Sequence, residues 1–464
     1  MTPVEVDEAV DDFDPGLAPL VRTAIPGPRS RELWGRDAAL HASNSSPAAQ
    51  WLRLVLRDGR GAVVRDVDGN LFVDLSSGAV VANLGHAPPA VARALGEEAA
   101  RLLHYFDFAT PARGRFFEAL ARTLPPSLQT FQMYSTGAEA VEAVLRLARS
   151  FTGGHEVISF HQAWHGRTLG AMSLMGGFPL KHGYGPFVPG ALHAPNPNCY
   201  RCPLDLRRDS CDVACAALVD RVHEQSCQGQ LAAVIVEPVQ GVGGVISFPP
   251  EFLAHLRELC DRTGALLVFD EILTGVGRTG PMWAFEATGV VPDVLLAGKG
   301  LAGGYPISLL ASRREVLDGG PFGRPGAGAS TFASGNLGCA AGEAVLALLE
   351  DGAVLANGRR VGAALLAALG DLAGRHRLVG DVRGVGMLLA VELVRDRATK
   401  EPVGPVVARR LVTALAQRGV LVAGGGSVLR ITPPLVISEE MALVAVRLLD
   451  EALAEVEAAG TEDG

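Results

Sequence analysis

Four short stretches, Val157–Phe160, Ala232–Glu237, Ala265–Asp270 and Val294–Ala297, are apolar along almost their whole length, and helical patterns such as Pro250–Thr263 lie between them. A strand that is apolar on both sides of its pleat belongs in a sheet covered on both faces, and alternating helices supply that cover. The expected fold class is therefore α/β: a large domain with a mostly parallel central sheet flanked by helices. Ahead of it, Gly61–Asp74 is β-type, with Asp68-Gly69-Asn70 as a hairpin turn. From about residue 340 the chain turns helical and rich in Ala and Leu, then ends in an α+β segment with strands near Met387–Leu393 and Val428–Ile431. At 464 residues the chain has room for two or more domains. The expected division is a flexible acidic tail over residues 1–20, a large domain over 76–339, and a small α+β domain from both chain ends, 21–75 and 340–464.

The strand ends carry the chemistry. Three of these stretches finish on, or run into, a polar residue: Glu237, Asp270 and, after Gly298, Lys299. In open α/β sheets ligands sit beyond the carboxyl ends of the strands, so Asp270 and Lys299 are expected to converge on one ligand. Lys299 is also one of only three lysines, with Lys181 and Lys400, among 41 Lys and Arg residues. Arginine stays protonated, whereas a desolvated lysine can lose its proton and attack a carbonyl. A carboxylate facing an imine-forming amine is what pyridoxal 5'-phosphate (PLP) requires: the acid keeps the ring nitrogen protonated, and the lysine holds the aldehyde and later moves protons. The same two residues could instead form only a partly buried ion pair.

Two further segments fit the cofactor. Tyr134–Arg149 reads as a loop entering an amphipathic helix, with Val141, Val144, Leu145 and Ala148 as its apolar stripe and Glu142 placed to pair with Arg146. Thr136, Gly137 and Ala138 leave backbone N–H groups open at the positive helix end, a phosphate site, although a plain N-cap would read alike. Trp164, in Phe160-His-Gln-Ala-Trp-His-Gly166, could stack on a flat ring or simply pack. The net charge of −9 speaks against nucleic acid as a partner. With no basic-then-apolar leader and no 18-residue apolar run, no membrane association and a cytoplasmic setting are expected. Cys199, Cys202, Cys211 and Cys215 offer four soft ligands, but their irregular spacing and Pro203 favour reduced thiols, and no metal is expected.

Asp270-Glu-Ile-Leu-Thr-Gly-Val-Gly-Arg-Thr-Gly280 and Pro292-Asp-Val-Leu-Leu-Ala-Gly-Lys299 together resemble the class III (ω-type) aminotransferase signature. The resemblance extends through Ile25-Pro-Gly-Pro, Gly85-His86, Ser135-Thr-Gly-Ala-Glu-Ala, Trp164-His-Gly, Glu237-Pro-Val-Gln, Ser330-Thr331-Phe, Gly384-Val-Gly-Met and Leu429-Arg430-Ile-Thr-Pro-Pro. It implies a PLP enzyme of fold type I. By resemblance, Lys299 is the Schiff-base lysine and Asp270 the partner of the ring nitrogen. Thr136, Gly137 and Ala138 hold the phosphate, Trp164 stacks on the ring, and Arg430 grips an α-carboxylate. Thr331 reaches the phosphate of a neighbouring subunit, which implies a homodimer with active sites at the interface. The implied activity is ping-pong transfer of an amino group from an amino acid to a keto or aldehyde acceptor.

Three departures bear on specificity. Many members of the family read Gln-Gly-Glu where this chain has Gln240-Gly241-Val242, and that glutamate covers the carboxylate-binding arginine when ω-amines bind. Val242 leaves Arg430 open and disfavours a strict ornithine or γ-aminobutyrate aminotransferase. Leu273 stands where many members place a glutamine on the cofactor's phenolic oxygen, which implies a tuning effect. Ser135–Ala138, the Trp164 segment and Gly380-Asp-Val-Arg-Gly resemble dialkylglycine decarboxylase, yet that enzyme's glutamine beside the departing carboxylate falls at Ala79. Racemisation or epimerisation, decarboxylation, transfer to an amino-sugar or other natural-product carbonyl, and non-catalytic PLP binding remain as alternatives. Borohydride reduction of the PLP-loaded protein is expected to leave the cofactor attached to the peptide containing Lys299, as peptide mapping would show. Persistence of that label in Lys299→Ala would overturn the assignment.

Overall fold

The computed structural model describes residues 13–333 and 335–460. Its centre is a seven-stranded sheet of β1 (Thr130–Tyr134), β2 (Glu156–Phe160), β3 (Ala191–Ala194), β4 (Leu231–Val236), β5 (Leu266–Asp270), β6 (Val294–Ala297) and β7 (Ser308–Ser312). Across the sheet the order is β1-β7-β6-β5-β4-β2-β3. Strands β6, β5, β4, β2 and β3 pair in parallel, and β7 alone runs against its two neighbours. Residues along each strand alternate between two cores. Ala233, Ile235, Leu266 and Val268 join one, while Val234, Val236, Leu267 and Phe269 join the other. Both faces are therefore dry, as the unbroken apolar runs require. Helix α1 (Gly137–Thr152) covers the first face; α2 (Pro250–Thr263) and α3 (Asn336–Leu349) cover the second.

A third core lies beside this sheet. It takes Leu52, Val73 and Leu75 from the early chain and residues from Val361 to Val456 from the late chain. The backbone joins the two ends directly, since Val73 pairs in parallel with Val420. The hairpin at Asp68-Gly69-Asn70 connects Val63–Asp66 to Leu71–Asp74 with Gly69 at φ +84°, a conformation glycine reaches without cost. Strands β8 (Val379–Val385), β9 (Leu388–Asp396) and β10 (Val428–Ile431) pair antiparallel around β9.

Three details differ from expectation. Most of the anticipated acidic tail, residues 1–12, lies outside the described residues. From Phe13 onward the chain is packed: Phe13 is buried, and Leu20 exchanges backbone hydrogen bonds with Leu71 at 3.0 and 2.8 Å. Helix α3 sends Cys339, Ala341 and Val345 into the sheet's core, so by packing it belongs with the large unit although it crosses residue 340. Glu142 does not pair with the Arg146 side chain; its carboxylate takes the Thr168 hydroxyl and the Ala171 amide (3.1 Å), and Arg146 donates to the Glu142 carbonyl (3.3 Å). Among the described residues no helix is long and apolar enough to cross a membrane.

Arg278 ties the units together. Fully buried in the loop after β5, it donates through Nη1 to the carbonyls of Pro433 (2.6 Å) and Met387 (3.1 Å), and through Nη2 to Asn83 Oδ1 (2.6 Å). An apolar substitute leaves these buried acceptors without donors. Arg278→Met is expected to lower unfolding stability by roughly 2–4 kcal/mol, read by denaturant titration. An unchanged midpoint would show that the anchor is dispensable.

Candidate active site

Parallel register sets the site. Phe269 of β5 lies opposite Val236 of β4, and Asp270 opposite Leu296 of β6, so Glu237, Asp270 and Lys299 emerge at one edge of the sheet. Asp270, Glu237 and Lys299, together with Thr136, Gly137, Ala138, Trp164 and His165, line a cavity of about 350 Å³. Val242, Leu273 and Tyr305 complete part of its wall.

Lys299 opens a tight turn, Lys299–Ala302, with its own backbone left-handed at φ +45°. For a residue with a Cβ this conformation is strained and needs outside support. Support comes from behind: a Cβ on Gly300 would sit 2.5 Å from the Asn83 amide, and Asn83 is held by Arg278 (2.6 Å) and by the Val276 carbonyl (2.8 Å). Burial pushes the Lys299 amine down to about 8; Asp270 and Glu237 oppose the fall and Arg430 adds to it. Near neutral pH a usable fraction is the free amine, the form that attacks a carbonyl or accepts a proton.

Asp270 is buried, accepting the Ile272 amide at Oδ1 (3.1 Å) and meeting His165 Nδ1 at Oδ2 (2.7 Å). Burial disfavours a charged His165, but its hydrogen bond to Asp270 and the charges of Asp270 and Glu237 outweigh this and raise its pKa. His165 thus braces the carboxylate through Oδ2. At the head of α1, Thr136 Oγ1 caps Glu139 N (3.3 Å) and the Thr136 carbonyl takes Ala140 N (3.1 Å). The Gly137 and Ala138 amides, both at the cavity, have no acceptor among the described residues. A Cβ at Gly137 would press within 3.0 Å of Ile272. Two open amides at a helix N-terminus, a half-buried tryptophan, a braced carboxylate and a desolvated lysine make a donor set that fits PLP.

Two residues of the site carried no assigned role in the sequence. Glu237, buried, accepts the Trp164 amide at Oε1 (2.8 Å) and the Gly241 amide at Oε2 (3.1 Å). Burial pushes it up to about 7, against His165 and the two amides, with Asp270 adding to the rise. Its polar identity at a strand end was the available signal. For His165 the signal was a histidine between Trp164 and Gly166 just past a strand.

Other expected residues lie apart. Arg430, half-buried on β10, does not line the cavity, although its charge acts on Lys299 and Glu237. Thr331 is exposed and outside the cavity of its own chain. Ala79 is also exposed and away from the lining, two residues before Val81, which is part of it. The four cysteines Cys199, Cys202, Cys211 and Cys215 gather around a separate, smaller cavity.

A strand-end lysine facing a braced carboxylate beneath a phosphate-ready helix defines a PLP-dependent enzyme of group transfer. Comparison with known proteins narrows this. The Aminotransferase class-III model matches residues 45–453. Diaminobutyrate–2-oxoglutarate aminotransferase of Rhizobium meliloti is 36% identical, covering 86% of this chain and 87% of its own. 4-Aminobutyrate aminotransferase of Mycobacterium tuberculosis is 34% identical (90% and 94%), and leucine/methionine racemase of Thermococcus litoralis 32% (87% and 91%). Among solved structures, an amine transaminase from an uncultivated Pseudomonas species in PLP-bound form superposes with a TM-score of 0.84 at 31% identity, covering 89% and 98%. The chain belongs to the class-III aminotransferases, which are PLP-dependent.

Lys299 should cost the empty protein stability. Its folded pKa lies near 8 against an ordinary 10.5, so between those values the unfolded chain binds more protons and stability rises with pH. Below pH 8 the cost is full, about 3 kcal/mol from the shift. PLP-free Lys299→Met is therefore expected to melt above PLP-free wild type at pH 7, with the gap narrowing as pH rises from about 8 towards 10.5. A gap that is absent at pH 7, or grows with pH, would refute the desolvated amine.

Proposed function

We propose that this enzyme moves the amino group of an α-amino acid, its carboxylate held by Arg430, to a keto or aldehyde acceptor by a ping-pong mechanism. The observation that carries this is Val242 in the cavity wall. Val242 puts an apolar side chain in the wall where a covering acid would otherwise stand, and the carboxylate whose charge reaches Arg430 is the buried Glu237. Arg430 stays open to the donor's carboxylate.

When bound, PLP supplies an electron sink for the carbon that bears the amino group. The protein's residues set the conditions. Asp270, braced by His165, keeps a proton on the ring nitrogen. Thr136, Gly137 and Ala138 fasten the phosphate, and Trp164 covers one face of the ring. Lys299 would hold the cofactor through Nζ, and that amine, when free, would carry a proton away from the donor's α-carbon. Arg430 would hold the donor's carboxylate and so orient the donor for loss of the α-hydrogen rather than of the carboxylate.

The active sites are proposed to lie at the interface of a homodimer, with Thr331 of each chain serving the cofactor phosphate of the other. Exposed Leu103 (60%), Tyr105 (60%), Phe108 (69%) and Phe332 (66%) support this, since large apolar groups clustered at a surface call for a partner. A cytoplasmic setting is supported by the seven cysteines, all free. The second reading is racemisation or epimerisation, which the Thermococcus litoralis relative favours. Decarboxylation has less support, because Ala79 is apolar and away from the lining.

Single amino acids incubated with the PLP-loaded enzyme decide between these. Stoichiometric keto acid supports transamination; solvent deuterium at the α-carbon without keto acid favours racemisation, and carbon dioxide favours decarboxylation. Arg430→Leu is expected to raise KM for α-amino acids about 10–100-fold while sparing amines without a carboxylate. Val242→Glu is expected to lower kcat/KM for α-amino acids and improve ω-amine donors. If neither variant changes donor preference, Arg430 is not the carboxylate anchor.

A further inference from the structure

From residue 195 to 213, between β3 and the turn Ala214–Ala216, the chain has no helix or strand. Loops of this length inside a compact unit usually have a function or a staple. Three of its thiols, Cys199, Cys202 and Cys211, together with Cys215 of the turn that follows, surround one cavity of about 20 Å³ also lined by Val213 and Pro249. That space suits a single ion or water. None of its lining residues belongs to the active-site cavity.

We propose that these four cysteines bind one zinc ion that fastens the 195–213 loop. Spacing supplies the ligands from two short arms, Cys199-x-x-Cys202 and Cys211-x-x-x-Cys215, and four thiolates are the soft tetrahedral set that zinc takes in structural sites. The Leu206 amide already donates to Cys202 Sγ (3.4 Å), the kind of bond that steadies a thiolate. The sulfurs of Cys202, Cys211 and Cys199 all lie close enough to Cys215 for their charges to act on it.

Without an ion, two of the sulfurs face backbone carbonyls. Cys199 Sγ lies 3.7 Å from the Pro197 carbonyl and Cys211 Sγ 3.8 Å from that of Arg208, and among the described residues no ready set of three metal ligands exists. Binding turns the sulfurs inward. One divalent ion enters, four S–H bonds give way to four zinc–sulfur bonds, and four protons leave to solvent. The loop so fixed also joins the two units: Lys400 Nζ donates to the Tyr200 carbonyl (2.6 Å) and Arg201 to Glu392 (2.7 Å). Zinc here is structural, away from the chemistry.

The test uses the full-length PLP-loaded protein, stripped by chelator and titrated with zinc chloride against a chromogenic competitor. Wild type and Cys227→Ser are expected to retain one zinc per chain, and Cys202→Ser/Cys211→Ser none. Cobalt chloride should give a thiolate charge-transfer band in the first two only. Because the double variant may misfold, native wild type is also alkylated with and without zinc. Zinc should shield Cys199, Cys202 and Cys211 while half-buried Cys227 reacts equally in both. The proposal fails if wild type holds no zinc, if the double variant holds as much, if zinc leaves labelling unchanged, or if the four residues are recovered as disulfides.

Discussion

A sheet that is dry on both faces can place charge only at its ends. Here five strands run in parallel with aligned register, so the ends that carry Glu237, Asp270 and Lys299 fall on one edge. The cores on either side exclude water from behind these groups, and that exclusion shapes their chemistry. It lowers the lysine, raises the glutamate, and makes the His165–Asp270 contact strong enough to keep a buried imidazole inclined to charge. The catalytic properties are thus consequences of packing as much as of residue identity.

The lysine's position depends on a second arrangement. Its left-handed backbone rests on Gly300, Gly300 abuts Asn83, and Asn83 is gripped by Arg278, whose other bonds reach Met387 and Pro433 in the late chain. One buried guanidinium therefore links the reactive turn, an early segment and the smaller unit. Strain at the lysine persists because several distant segments hold it together.

Much of this was legible in the chain. Unbroken apolar runs announced strands buried on both faces, and the helix Pro250–Thr263 has the bounds its period indicated. Lys299 and Asp270 stood out because each closes such a run. What escaped the sequence depends on contacts between distant segments. Glu237 and His165 acquire their roles only when loops some seventy or more residues apart meet, at 2.8 Å for Trp164–Glu237 and 2.7 Å for His165–Asp270. Local rules also lost to tertiary ones: the spacing of Glu142 and Arg146 favours a helix-surface pair, yet residues 168–171 capture the carboxylate. Thr331 could not be joined to a cavity within its own chain, because the site it is proposed to serve belongs to another copy.

Glu237 has one oxygen on the Trp164 backbone and the other on Gly241, beside Val242. The wall proposed to meet the cofactor ring and the wall proposed to meet the substrate would therefore hang from a single carboxylate. Specificity in this enzyme is not a module that can be exchanged freely. On that proposal, a change that moves the 239–247 hairpin would also shift the Trp164 backbone, so new donors and a well-seated cofactor would have to be selected together.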